Sequence, residues 1–249
     1  MKLDQIIAVR TNKKVYRDEN VIIKLFDENY AASDVLNEAL NHARAEETGL
    51  RVPKLVEVLK IDGKWAIVLE YIEGKTLQQL MNENPAKKEE YLKLFVDLQM
   101  EIHTMRSPLM TKLRDKMRRK ISESKLDATT RYDLHTRLEA MPRHAKLCHG
   151  DFNPSNVIVT EAGECFVIDW AHATQGNASA DVARTYLMFC LSGEEKLAEQ
   201  YLNLFCKKAD TAKQYVQKWL PIVAASQSVK GNPAEQELLL RWASVVDYE

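Results

Sequence analysis

The chain has 249 residues, 45% apolar and 29% charged, which is ordinary for a folded protein with a buried core. Its formal net charge of −1 excludes a global attraction for nucleic acid or an anionic membrane. Because no apolar run reaches the length of a membrane span and no signal segment is evident, we expect no membrane and no nucleic acid partner. The four cysteines form no C-x-x-C pair, which favours reduced thiols and a cytoplasmic location.

The first part of the chain has a β-rich pattern. A hairpin is predicted where Asp62-Gly63 separates Val56–Ile61 from Trp65–Tyr71. One helix is predicted over Ser33–Glu47, with Ser33 as its cap. Further short strands are predicted over Ile6–Val9, Lys14–Arg17 and Val21–Phe26, and the apolar face of the helix is predicted to consist of Val35, Leu36, Ala39, Leu40 and Ala43.

After Glu73-Gly74 the pattern becomes helical. Helices are predicted over Ala86–Met105, Leu109–Ile121 and Tyr132–Ala140, and again from about Asp181. The basic run in residues 112–120 is interpreted as the solvent-exposed face of an amphipathic helix rather than a nucleic acid site. We therefore predict an α+β fold with two lobes, a small β-rich lobe over residues 1–72 and a larger helical lobe over residues 73–249.

A short β-patterned island interrupts the helical part. Val157–Thr160 and Cys165–Asp169 are apolar runs separated by the turn Glu161–Glu164. If the runs pair across a four-residue loop, Thr160 lies opposite Cys165 and Asn156 lies opposite Asp169. An amide oxygen and a carboxylate at that separation can share one hard cation. Asn156 and Asp169 are therefore candidate ligands for Mg²⁺.

A second carboxylate precedes this island. Asp151 lies in a loop that Pro154 is expected to keep from being helical. A carboxylate there can accept a proton from an attacking hydroxyl, and the Asn five residues later has the spacing that kinases use. Asp151 is therefore the candidate catalytic residue, and His149 is expected to orient the loop through a hydrogen bond.

These motifs resemble the aminoglycoside phosphotransferase/choline kinase family of kinase-like enzymes. The resemblance is carried by the catalytic-loop pattern His149-Gly150-Asp151-Phe152-x-Pro154-x-Asn156, the metal-loop pattern Ile168-Asp169-Trp170, and the helix start Ala180–Arg184. It implies a kinase-like bilobal fold, ATP and Mg²⁺ as cofactors, and a small-molecule hydroxyl as acceptor. It also implies that Asp181 braces the catalytic loop.

The resemblance further implies a nucleotide site in the β-rich lobe. Lys24, in the apolar strand Val21–Phe26, is the candidate lysine for the phosphates, and Glu38 is the candidate glutamate that holds it. Backbone groups of Glu70 and Ile72 are expected to bind adenine. The loop Arg10–Lys14 contains no glycine, so Thr11 and Asn12 match only the shorter loop of some relatives.

Two other functions remain open from sequence. A protein kinase is disfavoured because Asp169-Trp170 replaces D-F-G. A nucleotide-binding scaffold without catalysis is encouraged by the glycine-free loop, but the four residues Lys24, Asp151, Asn156 and Asp169 argue against it. The acceptor is also open. Candidate carboxylates for a cationic acceptor are Glu194, Glu195, Glu199, Glu235, Glu237, Asp247 and Glu249, and candidate aromatics for a choline-like one are Trp170, Trp219, Trp242 and Tyr248.

Overall fold

The computed structural model describes residues 2–244, which fold into two compact units. The first unit contains the chain up to Lys88 together with Pro154–His172, and the second contains Glu89–Asn153 together with the described residues from Ala173 onward. The late segment Pro154–His172 thus belongs to the first unit. The division into lobes at residue 72 stays a prediction. No helix among residues 2–244 is long and apolar enough to cross a membrane.

The described residues form ten strands and ten α-helices, so the predicted α+β class is confirmed. The strands are β1 (Gln5–Arg10), β2 (Lys13–Asp18), β3 (Val21–Phe26), β4 (Leu55–Ile61), β5 (Lys64–Glu70), β6 (Lys75–Thr76), β7 (Lys146–Cys148), β8 (Val157–Val159), β9 (Cys165–Val167) and β10 (Thr174–Gly176). The helices are α1 (Ala32–Glu46), α2 (Leu77–Glu83), α3 (Lys88–Ile102), α4 (Leu113–Glu123), α5 (Ala128–Ala140), α6 (Ala178–Leu191), α7 (Glu195–Lys208), α8 (Lys213–Gln217), α9 (Leu220–Ser228) and α10 (Pro233–Ala243). Single 3-10 turns lie at Pro85–Lys87, Pro154–Asn156 and Trp170–His172.

An antiparallel five-stranded sheet with the order β1-β2-β3-β5-β4 forms the body of the first unit. The predicted hairpin joins β4 to β5, and both turn residues, Asp62 (φ 48°) and Gly63 (φ 81°), have positive φ. Two such residues define the turn whose twist matches that of paired strands, which explains why the Asp-Gly dipeptide was informative.

Helix α1 covers one face of this sheet, but its cap and its face differ from the prediction. The N-cap is Ala31, which makes no side-chain cap, so the predicted role of Ser33 is wrong. Leu36 and Leu40 are each 47% exposed. Val35 and Ala39 are buried as predicted, but the buried face also carries polar groups with partners. The Asn41 amide donates to Ala171 O (3.2 Å), and His42 Nε2 lies 2.6 Å from Pro53 O. Apolar periodicity alone could not identify this face.

Strands β6, β8 and β9 form a separate small sheet in the first unit. Its register differs from the prediction by one residue, because Val159 pairs with Cys165 and the Ile168 amide donates to Asn156 O (2.9 Å). The loop has three residues rather than four, since Gly163 adopts φ 78° and Thr160 N donates to Glu164 O (2.9 Å). The predicted pairs Thr160–Cys165 and Asn156–Asp169 are therefore wrong. Asn156 lies opposite Ile168.

The second unit is built on helices around an aromatic core. Phe95 of α3 stacks on Phe152 with ring centroids 4.4 Å apart, and Phe189 and Tyr201 pack against Phe95 from α6 and α7. Strands β7 and β10 pair antiparallel within this unit. Because Phe152 immediately follows Asp151, the aromatic core anchors the loop that carries the candidate catalytic residue.

The connection between β5 and β6 yields a stability prediction. A Cβ on Gly74 would lie 2.4 Å from Val159 O and 2.9 Å from Ile158 Cγ2, so a methyl group there forces the small sheet apart. We expect Gly74→Ala to lower the free energy of unfolding by about 1–3 kcal/mol, measured by urea denaturation. The exposed neighbour Glu73 provides the control, because Glu73→Ala should stay within about 0.5 kcal/mol of the parent. Equal stability of the two variants would contradict the contact.

Candidate functional site

A buried ammonium group lies at the centre of the first unit. Lys24 in β3 is 7% exposed, and its Nζ lies 2.8 Å from Glu38 Oε1 and 3.2 Å from Asp169 Oδ1. Its neighbours on the same face of β3 pack against the apolar residues of α1, so the aliphatic stem is covered. Burial alone would lower the pKa of Lys24, but the carboxylates of Asp169 and Glu38 raise it above the ordinary value. Lys24 therefore remains charged.

Glu38 is the helix residue that holds this lysine, as predicted from its place in α1. It is 6% exposed and also binds Lys13, whose Nζ lies 2.9 Å from both carboxylate oxygens. Burial raises the pKa of Glu38, but Lys24 and Lys13 together lower it below the ordinary value. The contact of Lys13 with Glu38 was not predicted from the sequence. The signal was available in the β2–β3 register, because Val15 pairs with Lys24 and Lys13 lies two residues away on the same face.

Asp169 lies two residues after the end of β9 and adopts φ 64°, a left-handed conformation that is uncommon for residues other than glycine. The next residues form a 3-10 turn held by two bonds, from Trp170 Nε1 to Val167 O (3.0 Å) and from the Asn41 amide to Ala171 O. This turn fixes the carboxylate beside Lys24, although the side chain stays 33% exposed.

The two predicted metal ligands flank the β8–β9 hairpin, with Asn156 just before β8 and Asp169 two residues after β9. Asn156 is 9% exposed and lies opposite Ile168, the residue before Asp169. An amide oxygen and a partly exposed carboxylate are hard oxygen donors, and Mg²⁺ typically takes one or two such protein ligands beside phosphate and water. The residues present therefore fit Mg²⁺, although the pairing that the sequence suggested is shifted by one residue.

The loop with the catalytic pattern is organised in the second unit by Asp181 of α6. This carboxylate is 2% exposed and accepts hydrogen bonds from the amides of His149 (3.1 Å) and Gly150 (2.7 Å), and His103 Nε2 lies 3.0 Å from it. Burial would raise the pKa of Asp181, but these interactions, led by the hydrogen bond from His103, lower it below the ordinary value. Gly150 adopts φ 78°, so the loop needs both a glycine and an internal acceptor.

Asp151 is held in this loop by an arginine that sequence reasoning did not single out. Arg184 Nη2 lies 3.3 Å from Asp151 Oδ1, and Arg184 Nε donates to Gly150 O (3.1 Å). Asp151 N donates to His149 Nδ1 (3.2 Å), which is the loop-orienting hydrogen bond expected of His149. The available signal was helical spacing, since Asp181 and Arg184 lie three residues apart on one face of α6.

The other predicted nucleotide contacts are placed around the five-stranded sheet. Thr11 and Asn12 form the exposed turn between β1 and β2, and Asn12 O accepts a bond from Asp27 N (3.0 Å). Glu70 ends β5, and its amide already donates to Lys54 O (2.9 Å), while Ile72 is buried. The nucleotide roles of these four residues stay predictions.

The acceptor candidates have separate environments. Glu199 accepts from the Tyr186 hydroxyl (2.6 Å) and from Lys213 (2.5 Å), and Trp242 stacks on Tyr186. Trp170 and Trp219 are buried in the folded chain. The candidates Asp247, Tyr248 and Glu249 lie outside the described residues.

The fold and these motifs define a phosphotransferase. The family model for the phosphotransferase enzyme family matches residues 5–219, and the chain belongs to this family.

Solved structures of similar fold include a thermostable mutant of aminoglycoside phosphotransferase APH(4)-Ia in a ternary complex with AMP-PNP and hygromycin B. It is 16% identical, with a TM-score of 0.68 over 97% of this chain and 94% of that one. Choline kinase LicA from Streptococcus pneumoniae is 17% identical, with a TM-score of 0.62 over 95% of this chain and 86% of that one. A choline/ethanolamine kinase family protein from Mesorhizobium loti is 15% identical, with a TM-score of 0.61 over 97% of this chain and 86% of that one. No curated protein matches the chain in sequence.

The buried Asp181 predicts a pH-dependent stability. Because its folded pKa is depressed, Asp181 contributes stability that is present above its unfolded pKa of about 3.9 and is lost as pH falls through the folded pKa. We expect Asp181→Asn to cost about 3–5 kcal/mol in urea denaturation at pH 7, and less than that below about pH 3.

The control for this prediction is Asp97, whose side chain is 55% exposed and pairs with Lys208 on the surface. Asp97→Asn should change the free energy of unfolding by no more than about 0.5 kcal/mol at either pH. A cost for Asp181→Asn that does not change with pH would show that the lost carboxylate charge is not its cause.

Proposed function

We propose that this chain transfers the γ-phosphoryl group of ATP to a hydroxyl group of a small molecule. The observation that carries the proposal is the position of Lys24 Nζ between Glu38 (2.8 Å) and Asp169 (3.2 Å). Kinase-like enzymes require such a lysine–glutamate ion pair and an aspartate on the metal. The ternary complex of a structural neighbour with AMP-PNP and hygromycin B supports both a nucleotide donor and a small-molecule acceptor.

In this proposal Lys24 binds the α- and β-phosphates and Glu38 keeps the ammonium in place. Asp151 accepts the proton of the acceptor hydroxyl while the hydroxyl oxygen forms a bond to the γ-phosphorus. The bond from that phosphorus to the bridging oxygen breaks, and ADP leaves. Since the protein forms no covalent bond, positioning and electrostatics supply most of the rate enhancement.

Asn156 and Asp169 would hold Mg²⁺, which when bound neutralises charge on the phosphates. The Asp169 carboxylate contacts Lys24, and its side chain is 33% exposed. The carboxylate is therefore accessible to a cation. Lys13 and Lys24 would then share Glu38 between them.

Two rival functions are less well supported. A protein kinase needs a long activation segment after its metal aspartate, but only residues 170–177 separate Asp169 from the start of α6. A scaffold that only binds nucleotide has no use for Asp151, which Arg184 and the Asp181 brace hold in a defined loop. We expect the reaction to occur in the cytoplasm, because no disulfide joins any two of the four cysteines, which all lie in the described part of the chain.

The nucleotide role of Lys24 is testable without an acceptor. We expect Lys24→Met to weaken Mg·ATP binding by about 10–100-fold in calorimetry, because a charge-assisted hydrogen bond contributes about 1.5–3 kcal/mol. Lys14, an exposed lysine on β2, gives the matched control. If Lys14→Met weakens binding equally, Lys24 has no specific role.

The catalytic role of Asp151 requires an acceptor, found by measuring ATP consumption across aminoglycosides, amino alcohols, sugars and thiamine. With the acceptor in hand, Asp151→Asn should lower kcat by at least about 10²-fold and leave ATP affinity within about threefold of the parent. Asp133, exposed on α5, is the control, and Asp133→Asn should retain full kcat. An Asp151→Asn enzyme with parental turnover would remove the general base from the mechanism.

A further inference from the structure

A cavity of about 380 Å³ lies within the second unit. Its wall is formed by the first two turns of α4, the segment Pro142–Ala145, the end of β10 with Asn177, and Trp219. This volume lies in the range of small-molecule sites. All of its lining residues belong to one compact unit, so the cavity is a property of that unit by itself.

The cavity is lined by an excess of positive charge. Arg114, Arg118 and Arg143 line it, all three contact the carboxylate of Glu139, and Arg118 Nη1 also lies 3.9 Å from Asp115 Oδ1. Arg114 Nη1 lies 2.9 Å from Glu139 Oε2 and Arg143 Nη2 lies 3.9 Å from it, while Arg118 contacts the other oxygen. The cavity wall also contains one further cation, Lys112, against one acid, Asp115. One or two carboxylates cannot neutralise this number of cations.

Besides these cations, the cavity has uncharged hydrogen-bond donors. Trp219 is 3% exposed, lines the cavity, and has an indole N–H that finds no hydrogen-bond partner among the described residues. A buried polar group without a partner costs free energy, so such groups often mark a site. The N-terminus of α4 opens on the same cavity, and its N-cap residue Lys112 provides no side-chain cap. Helix N-termini favour anions.

We propose that this cavity is a binding site for a small organic phosphate. Guanidinium groups match the geometry of phosphate oxygens, and arginines from different segments can contact several oxygens of one dianion. Leu113, Pro142, Ala145 and Trp219 supply apolar surface for the organic part of the ligand. Each arginine would exchange a shared interaction with Glu139 for a charge-assisted bond to the ligand.

The proposed site is separate from the catalytic loop and does not rest on the proposed function. Strands β7 and β10 join the two: Lys146 pairs with Gly176 at the cavity end, and Cys148 pairs with Thr174 at the end that leads into His149. Arg184, which binds Asp151, is not among the lining residues.

The test is calorimetric titration of the full chain with phenyl phosphate, without ATP or Mg²⁺, and with benzyl alcohol as the uncharged comparison. We expect saturable one-to-one binding of phenyl phosphate and no binding of benzyl alcohol. Arg118→Ala and Arg143→Ala should each weaken binding by about tenfold, since a hydrogen bond to a charged group contributes about 1.5–3 kcal/mol. Both side chains are at least half exposed, at 50% and 80%, so these variants should fold.

Arg119 provides the matched control. It lies on α4 beside Arg118, is 64% exposed and pairs with Glu123 outside the cavity, so Arg119→Ala should bind phenyl phosphate as the parent does. Trp219→Phe keeps an aromatic ring but removes the indole N–H, and should weaken binding severalfold. Absence of saturable binding would overturn the proposal. So would binding that Lys24→Met abolishes and the Arg118 and Arg143 variants retain, because the ligand would then occupy the nucleotide site.

Discussion

The ion cluster around Lys24 is the constraint on which the first unit depends. Removing an ammonium from water costs several kcal/mol unless carboxylates with good geometry surround it. Glu38 and Asp169 do so at 2.8 and 3.2 Å. Glu38 can reach the lysine only if α1 packs a partly polar face against the sheet. Asp169 reaches the lysine from a left-handed backbone conformation just after β9. Both irregularities follow from the buried charge.

The second unit repeats this arrangement with the charges reversed. Here the buried ion is the Asp181 carboxylate, and backbone amides with a histidine nitrogen satisfy it. The consequence is conformational, because the bonded amides belong to His149 and Gly150, and Gly150 must hold φ 78°. Arg184, three residues further along α6, then contacts Asp151. The orientation of the candidate base is therefore determined by α6, although the base itself lies on a loop.

Features that depend on local chemistry could be predicted from the sequence, and features that depend on tertiary pairing could not. The Asp62-Gly63 turn and the strands beside it follow from backbone preferences. The pairing of Asn156 with Asp169 failed because Gly163 shortens the loop to three residues, which moves every pair by one. Lys13 was missed for a related reason. Its partner Glu38 lies 25 residues away in the chain, and only the folded sheet and helix bring the two side chains together.

The ratio of cations to carboxylates separates the two basic clusters of this chain. In the first unit Lys13 and Lys24 pair with two carboxylates, Glu38 and Asp169, so the cluster is neutral. A cation that binds Asp169 therefore preserves this charge balance only if it arrives together with anionic phosphates. In the second unit Arg114, Arg118 and Arg143 share Glu139, and Arg118 also contacts a second carboxylate, Asp115. Repulsion among three guanidinium groups persists there, and an anion relieves it. The same electrostatic rule thus favours a metal–nucleotide complex at one cluster and a simple anion at the other.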